Sequence, residues 1–161
     1  MIALQPADAA ALPFILEAEA AARAQGFVSG WSEERHRRAM ASPDTAYFRV
    51  AAGDAGRTVG YAIVCGLEPD PVNIELKRLV VTETGHGYGR TALRRLKSLA
   101  FDELGAHRLW LDAFVDNARA RHLYRSEGFV EEGVMRESGR RGEGYASQVL
   151  MSMLEHEYRR R

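Results

Sequence analysis

The 161-residue sequence predicts a single α/β domain over residues 1–161, in which helices flank a mixed central sheet. The sheet is expected to be antiparallel through an N-terminal meander and parallel at a central βαβ unit. Three observations predict this. Two β-rich runs, Thr45–Ala52 and Thr58–Leu67, are joined by the hairpin signal Gly53-Asp54-Ala55-Gly56, and a third run, Val72–Val81, extends them into a meander. Leu76–Leu104 then reads as the end of a strand, a glycine-rich loop and a long amphipathic helix. His107–Val115 alternates as a further strand, and a strand–helix–strand connection of this length joins parallel neighbours.

The remaining elements follow in order. Met1–Gln5 reads as a short first strand. Asp8 is placed to cap a helix running to about Gln25, with Ala11, Leu12, Ile15, Leu16 and Glu19 at helical spacing and Gly26 at its end. Phe27-Val28-Ser29-Gly30-Trp31 is a loop with two large aromatics. Ser32 starts a second helix, with Glu33 and Glu34 in the first turn and Arg35, Arg37 and Arg38 toward its end, as the helix dipole prefers. In Val72–Val81, Ile74 and Leu76 alternate with Asn73, Glu75 and Lys77, but Leu79, Val80 and Val81 are all apolar. A strand that changes face midway implies a β-bulge, expected near Arg78–Leu79.

The helix from about Tyr88 to Leu104 gathers Ala92, Leu93, Leu96, Leu99, Ala100 and Leu104 on one face. Arg94, Arg95, Lys97, Ser98, Asp102 and Glu103 are assigned to the other, and Gly105 stops the helix. Ala118–Glu127 is a short helix with Asn117 available as its cap. Phe129–Arg136 and Tyr145–Leu154 are the last strands, joined by the polar loop Ser138–Gly144.

Composition narrows the function classes. Hydrophobic residues make up 46% and charged residues 27%, the balance of a soluble globular domain. The formal net charge of zero gives no global argument for nucleic acid or an anionic membrane. All basic residues except Lys77 and Lys97 are arginine. The single cysteine, Cys65, excludes an intramolecular disulfide and a cysteine-based metal cluster. It sits in the apolar run Tyr61–Cys65 and is read as a buried, inert thiol. No apolar run approaches the ~20 residues that span a bilayer, and no secretory signal is evident. A soluble, cytoplasmic protein is expected. The histidines show no metal-ligand spacing, so no metal is implied.

Two constellations carry chemistry. Thr84-Gly85-His86-Gly87-Tyr88-Gly89-Arg90 places three glycines at alternate positions just before a helix. Glycine lets backbone N–H groups approach a ligand closely, and a helix start leaves further N–H donors unpaired, so the segment suits a phosphate or pyrophosphate. A helix start with no ligand has the same appearance, because the spacing matches neither a dinucleotide fingerprint nor a Walker loop. The second constellation is Asn117, Ala120 and Tyr124, which share one face of the short helix and lead directly into Gly128-Phe129.

Together with the strand Glu75–Val81, these residues resemble the GNAT superfamily of acyl-CoA-dependent N-acetyltransferases. The resemblance covers about residues 45–154, and the run Asn117–Phe129 fits the family pattern Asn-x-x-Ala…Tyr…Gly-Phe at every anchor. One departure is Thr84, where the family's loop usually begins with Gln or Arg.

The resemblance implies acetyl-CoA as co-substrate and a primary amine as acceptor, either a small molecule or a peptide. Leu79 and Val81 would pair with the pantetheine arm, and a backbone N–H around Val80 would bind the thioester carbonyl. Gly85, Gly87, Tyr88, Gly89 and Arg90 would hold the pyrophosphate. Asn117 would meet the pantetheine, and the Tyr124 hydroxyl would serve as general acid. Glu75 is the expected base, with Glu68 second. Phe27, Trp31 and His36 are the candidate acceptor-side residues, and His86 would line the phosphate entrance. A homodimer is the family expectation. The alternative is a CoA-binding domain that has lost turnover.

Overall fold

The computed structural model describes residues 1–160. Seven strands form one sheet in the order β1-β2-β3-β4-β5-β7-β6. They are β1 (Ile2–Pro6), β2 (Thr45–Ala52), β3 (Arg57–Cys65), β4 (Asn73–Val81), β5 (Arg108–Phe114), β6 (Val130–Arg141) and β7 (Gly144–Leu154). The pairing of β4 with β5 is parallel and every other pairing is antiparallel. The expected mixed sheet, with its antiparallel meander and central βαβ unit, is therefore present.

Among the described residues five α-helices cover the sheet: α1 (Leu12–Ala24), α2 (Glu33–Ala41), α3 (Tyr88–Ser98), α4 (Ala118–Ser126) and α5 (Glu155–Arg159). The helix expected to run from Tyr88 to about Leu104 changes at Leu99 into a π-helical segment, Leu99–Glu103. A short 3-10 turn, Ala9–Ala11, precedes α1 and is the element that Asp8 caps. Pro13 near the start of α1 needs no N–H partner there. Leu12, Ile15, Ala18 and Ala22 recur at helical spacing and bury one stripe of α1. Ile15, Ala18 and Ala22 of that stripe pack with Tyr47, Tyr61, Ile63 and Val80 on one face of the sheet. On the opposite face Leu93, Leu96 and Ala100 of the α3 arm meet Ile74, Leu76, Leu109, Leu111 and Met151. Leu93 and Leu96, at 0% and 2% exposure, contribute about 1.5–3 kcal/mol each by leaving water.

The face change expected in β4 is real and sits one residue earlier than predicted. Arg78 pairs with Ile63 and Leu76 with Val64, so Lys77 is the extra residue of a bulge. Before it, Ile74 and Leu76 face α3. After it, Arg78 and Val80 are buried, with Val80 in the cluster under α1.

Two sequence expectations are corrected. Ser138–Gly144 is not a loop: β6 continues to Arg141 and turns tightly into β7 at Gly144. Register shifts between Glu131 and Gly133 and between Met135 and Gly139 break the alternation, and β6 is an edge strand that is mostly exposed, so the apolar signal is missing. Lys97, assigned to the solvated face of α3, is 7% exposed, because its ammonium donates 3.0 Å bonds to the Glu127 carboxylate and to the Glu127 carbonyl.

Candidate active site

The site originates in the way β4 and β5 part. They pair only from Asn73↔Arg108 to Glu75↔Trp110. Beyond that point β4 keeps β3 and β5 keeps β7 as partners, while their facing edges diverge. Those edges carry backbone donors and acceptors that a strand-like ligand can satisfy. A cleft of about 1080 Å³ opens there, lined by Leu76–Val81 on one wall and Asp112–Phe114 on the other. Leu79, Val80 and Val81, the expected pantetheine and carbonyl partners, lie on the first of these walls.

One end of the cleft is the glycine loop. Gly85 and Gly87 have φ of 83° and 72°, in the left-handed region where a side chain is strained. Gly87 is the N-cap of α3, and its carbonyl accepts from the Thr91 N–H and hydroxyl. Gly85, Gly87, Tyr88, Gly89 and Arg90 all line the cleft, and the first N–H groups of α3 have no intrahelical partner. Thr84 lines it as well. The Tyr88 ring stacks on His86 at 5.2 Å. The Arg90 side chain is not free for a phosphate: it pairs with Glu127 at 2.5 Å and donates to the Ser126 hydroxyl at 3.0 Å, leaving the Arg90 amide as its available donor. Arg119 and His122, which sequence reasoning did not single out, add charge and polarity on the α4 side of this end.

Helix α4 supplies the middle. The Asn117 side chain accepts from the Ala120 N–H at 3.2 Å, so it caps the helix while lining the cleft. Seven residues on, Tyr124 points along the same face, packed edge-on against Phe129 at 6.0 Å. Its hydroxyl has no hydrogen-bond partner among the described residues. Burial, and then the nearby Asp112 charge, push its pKa up to about 12, so it stays protonated near neutral pH.

The other end faces α1 and α2. Phe27 and Trp31 line it, as do Lys77, Arg78, Asp112 and Gln148. Asp112 accepts from the Gln148 amide at 3.0 Å, and burial raises its carboxyl above the ordinary range, against the charges of Lys77 and Arg78. Glu75, the base expected from sequence, lies just behind: it is partly buried, pairs with Lys77 at 3.3 Å and is not among the lining residues. Burial raises its pKa, and the Asp112 charge adds to the rise. Asp112 occupies a polar position in an alternating strand, and that alternation was the signal for it. Glu68 is exposed and likewise off the cleft.

His36 is placed elsewhere than expected. It is 0% exposed, with Nε2 2.5 Å from Glu19 Oε2 and Nδ1 2.8 Å from the Tyr47 hydroxyl, so it cannot touch an acceptor directly. Glu19, 3% exposed, also accepts from the Trp31 N–H at 3.3 Å and lies 3.3 Å from the Arg78 guanidinium. Burial alone would raise the Glu19 pKa; the His36 bond and the Arg78 charge turn the net shift downward. This network ties α1, α2, the Trp31 loop and β4 together beneath the cleft wall. The sequence signal for it was Glu19 on the apolar stripe of α1.

Cys65 is half-buried and off the cleft; burial pushes its thiol pKa up, away from a nucleophilic thiolate. Among the described residues no group of three His, Cys, Asp or Glu side chains converges as a metal site would, and no helix is long and apolar enough to cross a membrane.

Comparison with known proteins agrees with this geometry. Residues 13–129 match the model of the Acetyltransferase (GNAT) family. The spermidine N(1)-acetyltransferase of Vibrio cholerae is 43% identical over 49 residues, a match spanning 30% of this chain and 28% of that protein. The solved spermidine N-acetyltransferase from Vibrio cholerae, in complex with CoA and spermine, superposes with a TM-score of 0.83 at 22% identity, covering 98% of this chain and 97% of that one. A chimera of that enzyme with hSSAT gives 0.85 at 22% identity, covering 99% of each chain. At that identity the likeness speaks for the fold. The family match spans most of the chain, from α1 through α4 to Phe129: the chain belongs to the GNAT family of acetyltransferases.

Proposed function

We propose that the chain transfers an acetyl group from acetyl-CoA to a primary amine by direct attack, without a covalent enzyme intermediate. The observation that carries the reading is the parting of β4 and β5 after Glu75 and Trp110, with the glycine loop at one end of the gap and Asp112 and Tyr124 within it. Acetyl-CoA supplies the activated thioester when bound. The amides from Gly85 to Arg90 hold its pyrophosphate at the start of α3. The open edge at Leu79–Val81 pairs with the pantetheine arm, and a backbone N–H around Val80 stabilises the carbonyl oxygen as charge develops on it. Asn117, beyond its capping bond, has an amide NH₂ left to meet the same arm.

A primary amine is protonated in neutral water and must lose a proton before attack. Asp112 receives it, directly or through a water, because it is the half-buried carboxylate that lines the cleft between its two walls; Glu75, behind Lys77, is the second candidate. A carboxyl pKa raised by burial suits a base working near neutrality. The N–C bond forms, the C–S bond breaks, and Tyr124 gives its proton to the departing sulfur; the extra proton on the newly acylated nitrogen passes to solvent, from which Tyr124 regains one. Cys65, off the cleft and unactivated, takes no part. Phe27 and Trp31 form the acceptor-side wall. The cytoplasm is the proposed setting, consistent with a lone free thiol, and a homodimer is the proposed assembly, to be checked by sedimentation.

The test is the rate of CoA thiol release from acetyl-CoA over a panel of primary amines, with the acetylated product identified by mass. Transfer that drops on the order of 100-fold in Tyr124→Phe, with acetyl-CoA affinity retained, supports the assignment. Undiminished turnover removes Tyr124 as the acid, and no transfer to any amine, despite bound acetyl-CoA, refutes the enzyme reading.

A further inference from the structure

The charge of the acceptor side narrows the acceptor. Arg78 is 8% exposed and lines the cleft, yet none of its five donors has a hydrogen bond among the described residues; its Nε is buried and unpartnered. Its one carboxylate neighbour, Glu19 at 3.3 Å, is engaged through Oε2 with His36 and the Trp31 N–H, and Glu19 Oε1 is itself without a hydrogen bond. A buried guanidinium with unmet donors is costly unless something completes it. Arg78 lies 5.4 Å from the centre of the Trp31 ring, and Arg35 lies 4.2 Å from the same ring. Two cations therefore lie against one indole ring, a local excess of positive charge that favours an anion beside it.

Arg140 adds a third arginine from the β6 side, over the Tyr145 ring at 5.7 Å. Neither Arg35 nor Arg140 has a carboxylate partner among the described residues. Against these stand two lining carboxylates, Asp112 and Glu83, and Glu83 is taken by Arg57 near the glycine loop. A polycation would meet one acid, two arginines without a carboxylate partner, and Arg78, whose single carboxylate neighbour Glu19 is shared with His36, which is the wrong sign of complementarity.

Resting on the acetyl transfer proposed above, we infer that the acceptor is a primary amine that also carries a carboxylate, with Arg78, Arg35 and Arg140 binding the carboxylate while Asp112 faces the amine. Guanidinium and carboxylate match in planar, two-bond geometry, and Arg78 is held ready by Glu19 and Trp31. Arg78 is here a substrate-binding residue. The Glu19–His36–Tyr47 network is its positioning frame.

The experiment compares amino acids with their decarboxylated counterparts, lysine with cadaverine and ornithine with putrescine, alongside spermidine. A peptide with an N-terminal glutamate and an amidated C-terminus distinguishes a free amino acid from an acidic peptide as the source of the carboxylate. The expected result is a kcat/KM at least ~10-fold higher for the carboxylate-bearing partner of each pair, expressed mainly in KM. Arg35→Gln and Arg140→Gln, at exposed positions, should each shrink that preference, and Arg78→Met should abolish it while acetyl-CoA affinity is kept. If Arg78→Met misfolds, the two exposed variants still decide. Equal rates within the pairs, a preference for spermidine, or a preference untouched by all three variants overturns the inference and leaves acetyl transfer standing. If no amine is acetylated, acetyl transfer itself fails. Calorimetry of lysine against cadaverine on CoA-saturated protein then reads the subsite alone: selective binding of lysine supports it, and equal or absent binding overturns it.

Discussion

Glu127→Gln removes the anion that joins α3 to α4, the two helices bordering the phosphate end of the cleft. The carboxylate is 4% exposed and accepts from Arg90, Arg94 and Lys97. Burial would raise its pKa; the bonds from Arg94, Arg90 and Lys97 overcome that and hold it at about 2, against an ordinary 4.5. At 1.36 kcal/mol per tenfold in proton affinity, that drop corresponds to roughly 3 kcal/mol. Arg94 and Arg90 are substantially exposed and screened by water, which brings the net contribution nearer ~2 kcal/mol. A second route gives a similar figure. Losing the anion leaves the buried Lys97 ammonium without a counter-charge, and breaking a buried pair costs about 3–5 kcal/mol when nothing replaces it, less here because the residue 127 carbonyl and the glutamine amide oxygen still accept from it.

For a chain of this size, 2–3 kcal/mol lowers the melting temperature by roughly 4–12 °C. The assay is thermal unfolding of both proteins at pH 7 and at steps down to pH 2. Because the folded pKa is depressed, the carboxylate's contribution is complete above 4.5 and is lost as pH falls toward 2. The gap between wild type and variant should therefore close over that window. A gap at pH 7 within a degree, or one that does not close in acid, refutes the idea that this cluster holds the two helices together.

Three other outcomes follow from the site. Gly87→Val places a branched side chain at a φ of 72°, and should weaken acetyl-CoA binding at least ~10-fold in a calorimetric titration; retained affinity would move the phosphate site elsewhere. Asp112→Asn should lower kcat/KM by about 100-fold and flatten the rise in rate with pH, since a base with a raised pKa must lose its proton to act. If Glu75→Gln produces that flattening and Asp112→Asn does not, the roles of the two carboxylates are exchanged. With Tyr124 at about 12, the wild-type rate should show no loss from this group on the alkaline side below roughly pH 10, and a descending limb near 8 that disappears in Tyr124→Phe would contradict the assigned environment.

What the sequence made legible was local. The alternation in β4 broke where the chain has its bulge, within a residue or two of Lys77. The glycines before α3 and the Asn117–Tyr124 spacing are encoded within single turns, and both groups line the cleft. What escaped depends on contacts between residues far apart in the chain. His36, expected on the acceptor side, is closed over by Glu19, 17 residues earlier, and by Tyr47, and neither contact shows in the local pattern of its arginine-rich helix. Lys97 looks solvated because its partner Glu127 lies 30 residues on. Asp112 and Glu75 cannot be ranked by strand position alone, since the divergence of β4 from β5 decides which of them reaches the cleft. The outer part of β6 was hidden because an exposed, twice-shifted edge strand has no apolar period.

The most direct test of the central claim is a calorimetric titration of the purified protein with acetyl-CoA, set beside ATP and NAD. The parted strands and the glycine loop are the proposed site for a pyrophosphate with a strand-like arm. Micromolar binding of acetyl-CoA, with ATP and NAD at least ~10-fold weaker, is the predicted result. Equal affinity for the three would reduce the site to a general phosphate cradle, and no binding of acetyl-CoA would contradict the account.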